Sequence, residues 1–366
     1  MSSSWSKIPT DLLYSILSKL SIPDIFRSAA VCSSWSAVVD EVGRWPDDQH
    51  PQIPWLVPEL QIDRNVNHFL SLSEGRVYDI PSGDPRNVKK VIGSSHGWLI
   101  NIDKINVQLL NPITGAQIDL PSIPTMDDRN LHAMKAVLSS DPSRSGDYIV
   151  VFVFYSFSIQ KEFLFSVSAG DEEWKMISGG AYYYDDVAFH KGKLYAVSQA
   201  EEEVGQVMVA AYDLIALDST TPTGTPVVAL PDIVLDADYV GHSFCTTVND
   251  LLIVRSLTNE YNHIKKLEVW QVDTEKGGII PVNNLGKYAL FLSEESSLCL
   301  DTSSLPKNQN LKSNSIYISN DYLVNLVYNM EDESFTSLSL PPLSFPEMQE
   351  PTLLWFTPNL LHDDPM

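Results

Sequence analysis

The sequence predicts a mainly β fold with a small α module: three short N-terminal helices, then a β-propeller of about six blades, with seven as the alternative count. Three observations predict it. Sustained helical spacing of apolar residues is confined to the first 45 residues. From residue 66 onward, short apolar runs alternate with turn residues. Those runs carry a loose internal repeat. The expected division is a helical module at 1–45, a Pro-rich connector at 46–65 and a propeller at 66–366.

In the helical module, Leu12, Leu13, Ile16, Leu17 and Leu20 form an apolar stripe at helical period. Thr10, after Pro9, is the expected N-cap. Ser21-Ile22-Pro23-Asp24 reads as a second start, with Ser21 capping and Asp24 reaching back. Ile25, Phe26, Ala29 and Ala30 follow. A third stripe, Trp35, Val38, Val39 and Val42, ends at Gly43, a suitable C-cap. Three helices of about ten residues each cannot enclose much surface. Some of their large apolar residues must therefore be covered by the rest of the chain or by another protein.

Ile8-Pro9-x-Asp11-Leu12-Leu13-x-x-Ile16-Leu17-x-x-Leu20 and Pro23-Asp24-Ile25-x-Arg27-x-x-x-Val31-Cys32-x-x-Trp35 resemble an F-box. The departures are Ile8, where Leu is commoner, and Ser36, where a cation usually follows the tryptophan. The resemblance implies docking onto a Skp-type adaptor and, through it, onto a cullin–RING ubiquitin ligase. The expected adaptor-facing set is Ile8, Pro9, Leu12, Leu13, Ile16, Leu17 and Ile25. Leu20, Val31, Cys32 and Trp35 are expected to hold the helices together, with Cys32 a small buried hydrophobe and not a reactive thiol.

Residues 46–65, with Pro46, Pro51, Pro54 and Pro58, resist regular structure. Strands are expected over 67–72, 98–102, 148–155, 162–167, 194–198, 207–214, 251–256, 267–272, 315–319 and 323–329. Within the repeat, one strand ends in an Asn/Asp turn and the next in an apolar-Pro pair. Leu109-Leu110-Asn111-Pro112-Ile113-Thr114-Gly115 leads to Leu120-Pro121, and Val272-Asp273 leads through Gly277-Gly278 to Ile280-Pro281. Val77–Pro81 is a compressed copy, Tyr212-Asp213 leads to Leu230-Pro231, and Tyr328-Asn329 leads to Leu340-Pro341. Asn and Asp start turns by bonding their own backbone, and Gly supplies positive φ. Four strands per ~45–50 residues make a propeller blade, with a pair of sandwiches as the structural rival.

Ser95-His96-Gly97-Trp98-Leu99, Leu110-Asn111-Pro112-x-x-Gly115, Asn314–Ile318, Val327–Asp332 and Trp355-Phe356-Thr357-Pro358 resemble motifs of a large plant F-box family. That resemblance, to F-box proteins with a C-terminal KIB-type propeller, implies a propeller as the domain that captures the target. Phe291-Leu292-Ser293-Glu294 lacks the glycine often found there.

No motif for nucleophilic, metallo- or nucleotide chemistry is present. The expectation is a non-catalytic receptor without metal or cofactor. The alternative is a propeller enzyme or sugar-binding module beneath an unrelated helical cap. His96, His190 and His242 could converge near a propeller channel, each reading better as a structural histidine. Asp185-Asp186 beside Tyr182, Tyr183 and Tyr184 reads as a strand edge with a solvated turn. The acidic runs 171–173, 201–203 and 331–333 read as exposed loop tips.

Residues 1–45 hold Lys7, Lys19, Arg27 and Arg44 against Asp11, Asp24, Asp40 and Glu41, so the net charge of −23 lies in 46–366. That sign disfavours nucleic acid and could favour a basic target protein. Cys32, Cys245 and Cys299 form no metal or disulfide pattern, no apolar run is long enough to span a membrane, and the polar start does not read as a secretory signal. The expected location is the cytoplasm, the nucleus or both.

Overall fold

The computed structural model describes the chain except for residues 1–4, 21, 43–51, 59, 62–65, 82–88, 124–130, 145, 180–181, 201–205, 215–223, 232–238, 262, 306–310, 320–324, 339, 341–351 and 360–366. Three helices, α1 (Thr10–Leu17), α2 (Ile22–Ala29) and α3 (Ser33–Val42), precede six sheets among the described residues. Each sheet is one propeller blade, which settles the count at six.

Blade one pairs Trp55–Pro58, Val66–Ser71 and Arg76–Pro81 with Leu353–Phe356, so a late strand closes the ring against an early one. Blade two holds Leu60–Gln61, Lys89–Ser95, Trp98–Asp103, Asn106–Leu110 and Gln117–Leu120. Blade three holds Leu131–Leu138, Ile149–Ser156, Lys161–Ser168 and Lys175–Gly179. Blade four holds Tyr182–His190, Lys193–Ala200, Val207–Tyr212 and Thr225–Ala229. Blade five holds Tyr239–Thr246, Leu251–Thr258, Ile264–Val272 and Ile279–Pro281. Blade six adds a fifth strand: Tyr288–Leu292 pairs antiparallel with Ser297–Asp301 and parallel with Ser315–Ser319, beyond which lie Asn325–Asn329 and Ser334–Ser337.

Successive strand residues point to opposite faces, and a blade packs on a neighbour at each face. The run Ile149–Ser156 shows the consequence. Val150, Phe152 and Phe154 pack with Trp98 and Ile100 of blade two, while Val151 and Val153 pack with Val187 and Leu194 of blade four. A strand buried on both faces reads as continuous apolar sequence, not as an alternation. Six such apolar layers, one between each adjacent pair of blades, hold the ring together. Burying one large side chain in such a layer contributes roughly 1.5–3 kcal/mol.

The repeat seen in the sequence is the turn that leads into a blade's outermost strand, the third-to-fourth turn when strands are counted outward from the axis. Asn111 Oδ1 accepts the Ile113 and Thr114 amides, and Gly115 (φ 76°) bonds back to the Asn111 carbonyl. Asp273 Oδ1 does the same for Glu275 and Lys276, with Gly277 at φ 71°. The motifs around Gly97, Asn111 and Trp355 meet at one corner. Asn359 Nδ2 donates to the His96 carbonyl and to Asp141 Oδ2, whose other oxygen accepts from Trp98 Nε1. A Cβ on Gly97, at φ 82°, would lie 2.1 Å from Asn359 Cβ. The turn lacking a glycine is closed by serines: Ser293 Oγ donates to the Ser296 carbonyl, and Ser296 Oγ bonds both polar backbone atoms of Trp355.

Three expectations are corrected. Trp55–Pro58, expected within the connector, is a fully buried blade strand; its prolines sit at or before the ends, where they remove no central ladder bond. Helix α1 begins at Thr10 itself, with Pro9 as N-cap and no side-chain cap bond. Asp185-Asp186 is not a solvated turn but part of an inner strand, with Asp186 fully buried. The caps expected at Ser21 and Gly43, the run 201–203, and Pro46, Pro51, Gly180 and Pro341 lie outside the described residues.

Candidate functional site

Two surfaces carry functional interest, one on the helices and one at the ring's axis. The apolar stripe of α1 is two adjacent ridges. Leu13 and Leu17 turn inward, at 2% and 0% exposure, and join Ile22, Ile25, Trp35, Val38, Val39 and Val42. Leu12 and Ile16, at i and i+4 on the neighbouring ridge, stay 55% and 37% exposed. Pro9 is exposed, while Ile8, Leu20 and Cys32 are half-buried against the same small core. Trp35 Nε1 donates to the Trp5 carbonyl.

The expected adaptor-facing set is thus divided. Leu13, Leu17 and Ile25 belong to the module's own interior, because three short helices need their largest inward residues to cohere at all. Val31 was expected to hold the helices together; it is 52% exposed, just ahead of α3. The module rests on the ring through Ile113, which packs on both the helical core and the layer between blades one and two. Arg27 adds a cation–π contact, 5.6 Å from the Tyr78 ring. This joint leaves Leu12 and Ile16 uncovered.

At the axis, a cavity of about 410 Å³ is lined by the beginnings of the inner strands of blades three, four and five, by neighbouring strands of blades three and five, and by Leu292–Glu294, Ile318 and Ser319 of blade six. Lys135 of blade three pairs with Asp186 of blade four at 2.6 Å, both buried. Asp186 also accepts the amides of Val187 and of Phe244 in blade five. Burial pushes the Asp186 carboxyl up, against the pull of Lys135 and those amides. Asp185 bonds His242 Nδ1 at 2.5 Å, and Arg255 Nε donates to His242 Nε2 at 3.2 Å. An acceptor at Nε2 fixes His242 as the tautomer that donates from Nδ1. Arg255 also donates to the Pro231 carbonyl and lies 4.8 Å over the Trp270 ring. The network bolts three inner strands together.

Glu162 faces the same cavity and accepts the Tyr184 amide. Burial, with Asp185 adding to it, pushes its carboxyl up to about 7. The rest of the wall mixes apolar residues, Val153, Val254, Leu267 and Ile318 among them, with the hydroxyls of Ser243, Ser256 and Thr258. A cavity of this size with a few polar groups on an apolar wall is suited to binding a side chain or small ligand. No cluster of metal-ligating side chains occurs among the described residues.

The three histidines do not converge. His96 and His190 line a second cavity of about 360 Å³ at the opposite end, while His242 lines the first. Burial pushes His190 down. Lys135, Glu162 and Arg255 carried no signal in the sequence, since only the closed ring brings blades three, four and five to a common axis.

Residues 69–338 match the KIB1-4 beta-propeller family and residues 5–47 match the F-box domain. An F-box protein of Arabidopsis thaliana is 25% identical over 86% of this chain and 81% of its own length. Another from that plant, F-box protein At4g35733, is 24% identical over 93% of this chain and 98% of its own. F-box only protein 7 of the same plant is 25% identical over 52% of this chain and 54% of its own. Among solved structures, an oligogalacturonate lyase in complex with manganese aligns with 78% of this chain and 73% of its own, at 10% identity and a TM-score of 0.41.

Proposed function

The chain belongs to the plant F-box proteins that carry a KIB1-4 β-propeller, and from that premise we propose that it is the substrate-recognition subunit of an SCF-type (Skp–cullin–F-box) E3 ubiquitin ligase. Family membership supports a substrate-adaptor role in general. The finer reading is that the helices dock a Skp-type adaptor, and through it the cullin, while the propeller holds the target protein. The chain itself would supply proximity, bringing the target to the ligase's ubiquitin-charged enzyme, and no bond-making of its own.

One observation carries this reading. Leu12 and Ile16 stay exposed in the intact chain although the module is already seated on the ring. Side chains of this kind, side by side on one helix face, suit a helix-in-groove interface with a few apolar anchors. The test is capture by a purified Skp-type adaptor. The full chain is expected to be retained, and the double variant Leu12→Asp, Ile16→Asp is expected to be lost with little change in thermal stability. Equal retention of both would overturn the assignment of this ridge.

The proposal extends to a cytoplasmic or nuclear site of action, which three cysteines free of disulfides fit. Imaging of a tagged chain in plant cells tests it, and exclusive residence in the secretory pathway would defeat it.

A further inference from the structure

The ends of the ring differ in what they expose. In an antiparallel blade, the inner strand starts at the end where the second strand turns into the third, and the opposite end carries the turns between third and fourth strands. Ile113, the seat of the helical module, lies in one of those latter turns, in blade two. The cavity lined by Lys135, Glu162 and Asp185 opens at the other end. There the rim is apolar and exposed: Met134 is 46% exposed, Phe157 65%, Tyr183 39% and Tyr239 59%. Met134 and Tyr239 line the cavity itself. Phe157 packs on His132 and Tyr155, and Tyr183 Oη donates to the Gln160 carbonyl, so the aromatic surface continues outward over the turn of blade three. Phe157 and Tyr183 lie outside the cavity lining, and apolar surface that continues beyond a cavity suits a macromolecule.

The charge inside the cavity has one sign to spare. Lys135 is spent on Asp186, and Arg255 points back to His242, Pro231 and Glu268. Glu162, Asp185 and Glu294 are the other acidic groups on the wall, and the −23 excess lies in residues 46–366. Val153, Val254, Leu267 and Ile318 supply aliphatic wall in the same cavity. Lysine and arginine match this profile, since each lays an apolar stem along such a wall and carries a cation at its tip. Against carboxylates in a partly dry site that cation forms charge-assisted hydrogen bonds.

We propose that the target protein docks on the end of the ring opposite the helices, seating one lysine or arginine side chain in the funnel lined by blades three to six while its apolar neighbours cover Met134, Phe157, Tyr183 and Tyr239. This rests on the reading of the chain as a substrate receptor and names the target's chemistry. The cation reaches Glu162 and Asp185; the rim excludes water around it. Seating the target on this end keeps it clear of the surface that meets the adaptor.

The experiment uses the full chain bound to its adaptor, with a displayed library of cyclic hexapeptides as the probe. Selected binders are expected to carry Lys or Arg beside aromatic or aliphatic residues. Their affinity is expected to fall on the order of thirtyfold in Glu162→Gln, Asp185→Asn, because a buried charge pair is broken. Tyr239→Ala, which alters an exposed rim residue and no network bond, is expected to weaken them also. Glu331→Gln, Glu333→Gln, at an exposed turn elsewhere, is expected to leave them unchanged. No binders, binders without a basic residue, or equal affinity for the funnel and control variants would overturn the proposal. Free n-butylguanidine binding as tightly as the peptides would also overturn it, in favour of a small-molecule site. Adaptor capture is read on the same samples. Failed peptides with intact capture sink only the funnel, whereas failed capture sinks the receptor reading.

Discussion

The helical module and the propeller solve the same problem in opposite ways. The ring buries both faces of its central strands by packing each blade between two others, and it leaves apolar surface mainly at a rim. The three helices share one small interior around Leu17 and Ile25, and half of the α1 stripe stays outside it. A closed ring has no unpaired neighbour to satisfy. The short helical unit, with Leu12 and Ile16 left outside its interior, still has apolar surface to cover.

The largest effect should come from opening the ring. Trp355 is fully buried between blades six and one, and its Nε1 donates to the Leu292 carbonyl. Trp355→Ala is expected to cost about 3–5 kcal/mol in urea unfolding of the propeller. A change below 1 kcal/mol would show that closure does not depend on this layer. Next comes Leu17→Ala, worth about 2–4 kcal/mol to the helices alone. Far-ultraviolet circular dichroism should then show helical signal melting ahead of an unshifted sheet transition. One merged, lowered transition would mean that the two regions fold as a unit.

The smallest effect is a pH dependence. Glu162 titrates at about 7 in the folded chain against an ordinary 4.5, chiefly from burial. The folded state therefore holds a proton that the unfolded state releases between those values. Its stabilising contribution is complete below about pH 4.5 and is lost as pH rises through 7. Asp185 and the Tyr184 amide face this carboxyl directly, with Lys135, Asp186 and His242 on the same cavity wall. Glu162→Gln removes the proton exchange, so the variant should gain on the parent by up to about 3 kcal/mol between pH 4.5 and 8. Parallel stability curves for the two proteins would refute a buried Glu162.

What the sequence disclosed follows from how local each signal is. Helix stripes and Asn-Pro-x-x-Gly turns are set by neighbours a few residues apart, so α3, the Asn111 turn and the run around Phe152 were readable. The inner strands were not. Leu131–Leu138 and Tyr239–Thr246 mix small and polar residues with apolar ones because part of each faces the axis, which blurs the apolar pattern. The connector misled because its prolines masked the apolar run Trp55-Leu56-Val57. In α1, spacing alone marked a broad stripe, and only packing against α3 decided that Leu13 turns in and Leu12 out. The Lys135–Asp186 and Asp185–His242 pairs join different blades, so no single stretch of chain could announce them.

Pairing of Trp55–Pro58 with Leu353–Phe356 also sets a timetable. A ribosome releases the partner of the first blade only about 300 residues after Trp55–Pro58, whereas α1, α2 and α3 need contacts no more than a few dozen residues apart. Nascent chains would therefore expose the unfinished edge of Trp55–Pro58 to chaperones or stray strands, with helices already formed ahead of it. A stop placed just ahead of Leu353 would strand that edge permanently.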